Sequence, residues 1–422
     1  MNINILTFGC SANQADSEIM AGLLTKAGYE LVESAESADL VIVNSCVVKG
    51  KTETHVFKEI CRLKKLKKKI IVAGCMPQTK IYTSKLKDVS VLGVYETERV
   101  VDAVKAVLSG KKISWLSTKK KEKLCFPRLR KNPAIAVVVI SSGCLGHCTY
   151  CIVKLAKGEL FSYPENMIIN EIKTALKEGC KEIWLTSQDC AAYGLDTGTS
   201  LVSLLETVVA LDGDFFVRVG MSNPNHLIKN LDKLIELYKN PKVFKFLHIP
   251  VQSGNNEILK LMNRKYTVED FRTIITKFRK AIPTITISTD LICGFPSETE
   301  KQFEDSLEII KWLEPDVLNL NMFWPRPGTP AAKMKQLKPG TGRERTRKIA
   351  EVFEKILLRK NEAWVGWKGR ILIDEIGKKG GFVGRNFAYK PIVIKKAKLG
   401  ELIKVKIVDS TIDYLSGQLY AE

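Results

Sequence analysis

From Asn2 the chain alternates short apolar runs with longer stretches in which apolar side chains recur every three or four positions. The runs at 2–8, 39–45, 69–73 and 91–95 read as strands, and the stretches 13–27, 52–66 and 97–108 as helices. Such alternation predicts a parallel sheet, because parallel neighbours need a helical crossover between them. A longer alternation begins at Ala134, with strands at 134–140, 182–186, 215–219, 244–249, 284–292 and 317–323. Helical patterns at 165–178, 268–280 and 300–313 separate them. Six strand–helix units fall short of a closed eightfold barrel and predict a partial (βα)6 barrel. From Trp364 the pattern changes to short β-prone runs at 370–376, 381–384, 392–394, 401–408 and 414–419, which predict a small antiparallel β-barrel of five strands. The Lys-rich stretch 113–132 lacks periodicity and reads as a linker over the surface. The fold class is α/β with three expected domains, 1–112, 133–360 and 361–422.

Composition narrows the function classes. The 422 residues are 45% hydrophobic, enough for real cores, yet no apolar run reaches the length of a membrane span. The N-terminus enters a strand directly, without the pattern of a signal peptide. Eleven cysteines without secretory context favour a reducing, cytoplasmic location and metal chemistry over disulfides. The net charge of +20 fits a polyanionic partner, whose counterions Lys and Arg release. It equally fits a Lys-rich solvated surface, as in heat-adapted proteins. Clusters of basic residues at 62–69, 119–131 and 343–360 add weight to the first reading.

The chemistry centres on Cys144, Cys148 and Cys151, a CxxxCxxC spacing that follows the first barrel strand. Thiolates are the usual protein ligands of iron–sulfur clusters, and three of them leave one iron of a cubane open. Structural zinc prefers four closed ligands, often in two pairs. A disulfide is disfavoured by the odd number of cysteines and the compartment. Three further cysteines, Cys10, Cys46 and Cys75, each end a strand of the first sheet. Ligands of open parallel sheets gather at the strands' carboxyl ends, so these three can converge on a second cluster. The alternative is three buried cysteines packed as small hydrophobes. Cys61, Cys125, Cys180, Cys190 and Cys293 do not share the pattern. The loops after the barrel strands are polar and include Gln188, Ser222, Gln252, Asp290 and Arg326, as expected around a polar cofactor. In the last 60 or so residues basic and aromatic side chains interleave, which suits RNA backbone and stacked bases.

The chain resembles the radical S-adenosylmethionine (SAM) methylthiotransferases over essentially its whole length. The resemblance rests on Phe8-Gly-Cys-Ser-Ala-Asn-Gln-Ala-Asp-Ser-Glu18, Val43-Asn-Ser-Cys46, Val72-Ala-Gly-Cys-Met-Pro77 and the CxxxCxxC loop. It rests also on His248-Ile-Pro-Val-Gln-Ser-Gly254, Met262-Asn-Arg-Lys-Tyr-Thr267, Thr289-Asp-Leu-Ile-Cys-Gly-Phe-Pro296 and Pro325-Arg-Pro-Gly-Thr-Pro330. The C-terminal region resembles the TRAM domain, an RNA-binding barrel. Gly9-Cys-Ser, Glu182-Ile-Trp-Leu-Thr-Ser187 and Phe161-Ser-Tyr-Pro164 are similar to the archaeal and eukaryotic branch, which acts on N6-threonylcarbamoyladenosine (t6A) beside the tRNA anticodon. The segment after Cys151 departs from that branch's usual Lys/His/Arg-rich run.

The resemblance implies two [4Fe-4S] clusters, one on Cys144, Cys148 and Cys151 and an auxiliary one on Cys10, Cys46 and Cys75. It implies SAM both as radical source and as methyl donor, with methylthiolation of C2 of the adenine in t6A-bearing tRNA. Gln188, Ser222, Gln252 and Arg326 are then candidates for contacts to SAM or the base, and Lys378, Lys379, Arg385 and Lys390 for contacts to RNA. A low-potential electron donor and a sulfur source follow as partners, and no membrane. Related acceptors within the family are isopentenyladenosine in tRNA and an aspartate of a ribosomal protein. A non-enzymatic iron–sulfur RNA-binding protein would instead require four closed ligands for each cluster, where the sequence offers three and three.

Overall fold

The computed structural model describes residues 1–48, 50–378 and 380–420. The first alternation folds as a six-stranded sheet in the order β2-β1-β3-β4-β5-β6. Its strands are β1 (Asn2–Thr7), β2 (Glu30–Leu31), β3 (Leu40–Ser45), β4 (Lys69–Gly74), β5 (Ser90–Gly93) and β6 (Ser114–Trp115). Every neighbouring pair is parallel, so the carboxyl ends of β1, β3 and β4 lie along one edge. The crossovers are α1 (Ser11–Lys26), α2 (Gly50–Lys65), α3 (Cys75–Gln78) and α4 (Val100–Leu108). Val56, Ile60 and Leu63 of α2 pack on one face of the sheet, and Met20 of α1 with Val100 and Val104 of α4 on the other. Covered on both faces, β3 is apolar along its first four residues and buried throughout.

The stretch 113–132 has no helix or strand after Trp115, as expected of a linker, but it is tied to the core at several points. Ser114–Trp115 supplies the edge strand β6, and farther along Lys123 and Leu124 are buried. Lys123 forms a buried ion pair with Asp16 of α1, and Gln78 Nε2 donates to the Ser117 carbonyl at 2.9 Å. One lysine of this Lys-rich stretch, Lys123, thus serves as the partner of a buried acid.

The central region forms an open arc. Strand β7 (Ile135–Val139) is followed by a short antiparallel pair, β8 (Ser141–Ser142) and β9 (Phe161–Ser162). Then come β10 (Glu182–Thr186), β11 (Phe216–Val219), β12 (Phe246–His248), β13 (Thr286–Cys293) and β14 (Val317–Met322). Two parallel three-stranded sheets, β11-β10-β7 and β12-β13-β14, meet through the Val217–Val243 bridge. The C-terminal strands β15 (Lys368–Ile376), β16 (Phe382–Arg385), β17 (Pro391–Ile394), β18 (Leu402–Ser410) and β19 (Leu415–Leu419) close a barrel. It is not wholly antiparallel, since β17 and β19 pair in parallel. An odd number of strands cannot alternate direction all the way round a ring, so one parallel pair is obligatory.

Two exchanges of apolar side chains knit the first two regions together. Ala12 and Ala15 of α1 pack into the core built on β7. In return Ile152 and Ala156, beside and within α5 (Val153–Lys157), pack into the cluster around Cys75 and Met76. Each cysteine-bearing segment is therefore held in part by the other region.

Candidate active site

The polypeptide around Cys10, Cys46 and Cys75 is shaped to bring strand ends close. A Cβ at Gly9 would lie 2.7 Å from Cys46 Cβ, and Gly9 has φ +122°, so only glycine passes there without strain. Asn13 Nδ2 donates to Asn44 Oδ1 at 3.3 Å and to Ser45 O at 3.1 Å, while Asn44 Nδ2 returns a bond to Asn13 O at 2.8 Å. This reciprocal pair ties the first turn of α1 to the end of β3. Cys10 caps α1 with extended backbone, which sets its sulfur at the positive end of a 16-residue helix. Cys46 and Cys75 are buried. Burial pushes the Cys75 thiol up to about 12 and raises Cys46 as well.

Lys157 enters the same site from α5, with only 5% of its surface exposed. Burial works against its charge, but Cys75, Cys10 and Asp16 hold the proton on, and the net effect is a raised affinity. Tyr95 Oη donates to the Lys157 carbonyl at 2.6 Å and fixes the end of the helix. Local sequence gave no sign of this residue's place, which arises only from the packing of α5 against α3.

The CxxxCxxC loop leaves β8 through Gly143, where any Cβ would collide with the Glu159 carbonyl. Cys144 N donates to Gly158 O at 3.2 Å, closing the loop onto the end of α5. The Cys144 and Cys148 sulfurs flank one point, the Cβ position of Gly146, at 3.4 and 3.7 Å. Gly146 N donates to Cys144 Sγ at 3.2 Å, and Cys151 N to Cys148 O at 3.1 Å. Burial raises Cys144 to about 11 and Cys151 to about 12.

Around the barrel rim, Gln188 follows β10 and Gln252 follows β12, and each has a buried Oε1 without a partner among the described residues. Gln252 holds φ +64°, locked by Gln252 N to Asp290 O at 2.8 Å. Ser222 is buried and bonded to the Gly220 carbonyl. His248 Nε2 and Asp290 Oδ2 pair at 2.7 Å, as do His226 Nδ1 and Asp189 Oδ2.

Two of the candidate contacts, Lys390 and Arg385, are corrected, and Arg326 has partners outside the barrel as well. Arg326 is anchored to the first region, its Nη2 meeting Glu53 Oε2 at 2.5 Å and Tyr82 Oη at 3.0 Å, while its buried Nε and Nη1 have no partner among the described residues. Lys390 is buried against Asp316 at 2.8 Å and cannot reach an RNA phosphate. Arg385 is turned inward, with Nε 3.1 Å from Asp374 Oδ2. Lys378 is exposed, and Lys379 lies outside the described residues.

Comparison with known proteins follows the same three blocks. The uncharacterized protein family UPF0004 matches residues 2–93, the radical SAM superfamily 138–310 and the TRAM domain 364–420. The chain is 42% identical to a probable threonylcarbamoyladenosine tRNA methylthiotransferase of Pyrococcus horikoshii, with 99% of each chain covered. It belongs to this family. The human threonylcarbamoyladenosine tRNA methylthiotransferase is 38% identical across 98% of this chain and 73% of its own length. Among solved structures, the radical SAM methyltransferase TsrM of Kitasatospora setae, with cobalamin and a [4Fe-4S] cluster bound, is similar in fold at 12% identity. Its TM-score is 0.56, covering 78% of this chain and 76% of TsrM.

A radical SAM methylthiotransferase uses [4Fe-4S] clusters and SAM, and the residues present fit both. Each three-cysteine set is free of disulfides. Burial holds the protons on Cys46, Cys75, Cys144 and Cys151, so loading iron would have to displace them. The unpartnered amide oxygens of Gln188 and Gln252 are acceptors open to a polar ligand. Among the described residues no helix is long and apolar enough to cross a membrane.

Proposed function

We propose that this enzyme converts t6A beside the tRNA anticodon into its 2-methylthio derivative. The observation that carries the reading is the packing of α5, which sends Lys157 from one cysteine loop into the other cysteine site. When bound, the clusters and SAM supply the one-electron cleavage that generates a 5′-deoxyadenosyl radical and the methylated sulfur delivered to C2.

The chain's own residues do the positioning. Cys144, Cys148 and Cys151 hold one cluster at the barrel mouth, and Cys10, Cys46 and Cys75 hold the other at the sheet edge. Gln188, Ser222 and Gln252 line the mouth between the strand ends and orient SAM. Lys157 offsets negative charge at the auxiliary site. A base stacked in the anticodon loop must be splayed out to enter this mouth. Lys378 and Lys379 add phosphate contacts from the TRAM barrel. A low-potential electron donor and a sulfur source complete the reaction, in the cytoplasm.

The test is anaerobic reconstitution with reductant, SAM and tRNA with or without t6A, read by nucleoside mass spectrometry. A 2-methylthio product confined to t6A-bearing tRNA is expected. Product on isopentenyladenosine, or on protein alone, would overturn the choice of substrate.

A further inference from the structure

The Met262–Thr267 motif has no part in the reading above, yet it grips the CxxxCxxC loop along its length. Thr149 N donates to Met262 O at 3.1 Å, and Thr149 Oγ1 to Leu261 O at 2.8 Å. Asn263 Nδ2 donates to His147 O at 2.8 Å, with Asn263 itself at φ +56°. The fourth contact differs in kind. Arg264 Nη1 donates to the sulfur of Cys148 at 3.3 Å.

Arg264 is held on its other sides as well. Its Nη2 donates to Asn223 Oδ1 at 2.9 Å, and its Nε to Tyr266 Oη at 3.2 Å. The Tyr266 hydroxyl is fixed in turn, within 3.0 Å of Pro250 O and 2.8 Å of Val251 O. Asn223 N donates to Asp189 Oδ1 at 3.0 Å, and Asp189 holds His226. Asn223, His226, Asn263 and Arg264 border a cleft of about 320 Å³ that opens beside Cys148. The guanidinium is therefore a fixed, half-buried cation whose direction is set by three side chains from three different loops.

We propose that Arg264 is a positioning residue of the radical-SAM site that sets the reduction potential of its cluster through Cys148. Hydrogen bonds to cluster sulfurs and nearby positive charge favour the reduced, more negative state. A charge-assisted donor on one of only three protein ligands does both. Without it the same reductant would place fewer electrons on the cluster. The inference rests on the reading of Cys144, Cys148 and Cys151 as a cluster site.

The test uses the full-length, anaerobically reconstituted enzyme, with potentiometric titration of the paramagnetic signal that responds to added SAM. Arg264→Gln keeps a donor but loses the charge, Arg264→Lys keeps the charge, and Asn263→Gly loosens the loop without touching a sulfur. The expected result is a more negative potential in Arg264→Gln, a smaller shift in Arg264→Lys and none in Asn263→Gly. At limiting reductant, 5′-deoxyadenosine formation by Arg264→Gln should fall about tenfold, and a stronger reductant should restore it. A wild-type potential in a loaded Arg264→Gln would overturn the proposal. So would failure of both Arg264 variants to retain iron there, which would make the residue a folding element. Absence of the SAM-responsive signal from the wild type would defeat the cluster assignment itself.

Discussion

Lys390 Nζ lies 2.8 Å from Asp316 Oδ1, with each side chain only 4% exposed, and this pair joins the C-terminal barrel to the foot of β14. Asp316 also accepts from Lys360 at 2.8 Å and from Ile287 N at 2.9 Å. The acid is thus embedded among its donors. Lys390→Met should destabilise the protein by about 2 kcal/mol, because buried Asp316 loses one of its two cationic partners and keeps Lys360. Lys378→Glu should leave the melting temperature unchanged and weaken tRNA binding with a shallower salt dependence. Thermal melts and filter-binding at several salt concentrations separate the two.

A second interface contact predicts a pH dependence. Glu182, at the start of β10, accepts from Tyr389 Oη at 2.8 Å and from Trp184 Nε1. Burial, then the neighbouring Asp374, pushes its carboxyl from the usual 4.5 up to about 8. A folded-state value above the unfolded one means stability that is whole below about pH 4.5 and is lost as pH rises through 8. Glu182→Gln keeps the acceptor and cannot ionise. Its melting temperature should fall less than that of the wild type between pH 5 and 8.5, on the order of a few degrees. Equal slopes for the two proteins would refute the assignment.

Gly9→Ala offers a test confined to one cysteine set. The added Cβ would sit 2.7 Å from Cys46 Cβ in a left-handed conformation, so the turn must shift and carry Cys10 with it. Iron bound at the auxiliary site should drop sharply while iron on Cys144, Cys148 and Cys151 stays. Mössbauer spectra of the enriched protein would resolve the two, and uniform loss would indicate general unfolding.

Lys157→Met should leave the auxiliary cluster in place at a more negative potential, since the buried cation facing Cys10 and Cys75 is gone. Lys157→Arg should lie closer to the wild type. Redox titration in the absence of SAM reads the difference.

Much of this architecture was legible in the sequence, and the exceptions share a cause. The strand ends carrying Cys46 and Cys75 are visible because burial on both sheet faces forces continuous apolar runs that stop where the cysteines stand, whereas β1 before Cys10 is half polar and only partly buried. The CxxxCxxC loop is visible because its ligands are neighbours in sequence. Lys390 and Arg385 were misassigned because a basic residue in a basic stretch looks solvated until its partner is known. Asp316 lies 74 positions from Lys390, and nothing local announces it. The position of Arg326 after a barrel strand does not disclose its partner Glu53 in the first region, 273 positions away. The Met262–Thr267 motif contains Arg264 but does not disclose its contact with Cys148, 116 positions earlier. Motif and periodicity report an element and its face; they do not report what the long side chains on that face will meet.

The central claim is a division of labour between two three-cysteine sites pressed together at one interface. Its most direct test is the full-length Cys10→Ala/Cys46→Ala/Cys75→Ala variant, assayed anaerobically with SAM and t6A-bearing tRNA for 5′-deoxyadenosine and for the methylthio nucleoside in the same reaction. The account predicts that SAM cleavage persists while methylthio transfer is abolished. Retention of methylthio transfer, or loss of both activities in a protein that still binds iron at Cys144, Cys148 and Cys151, would contradict it.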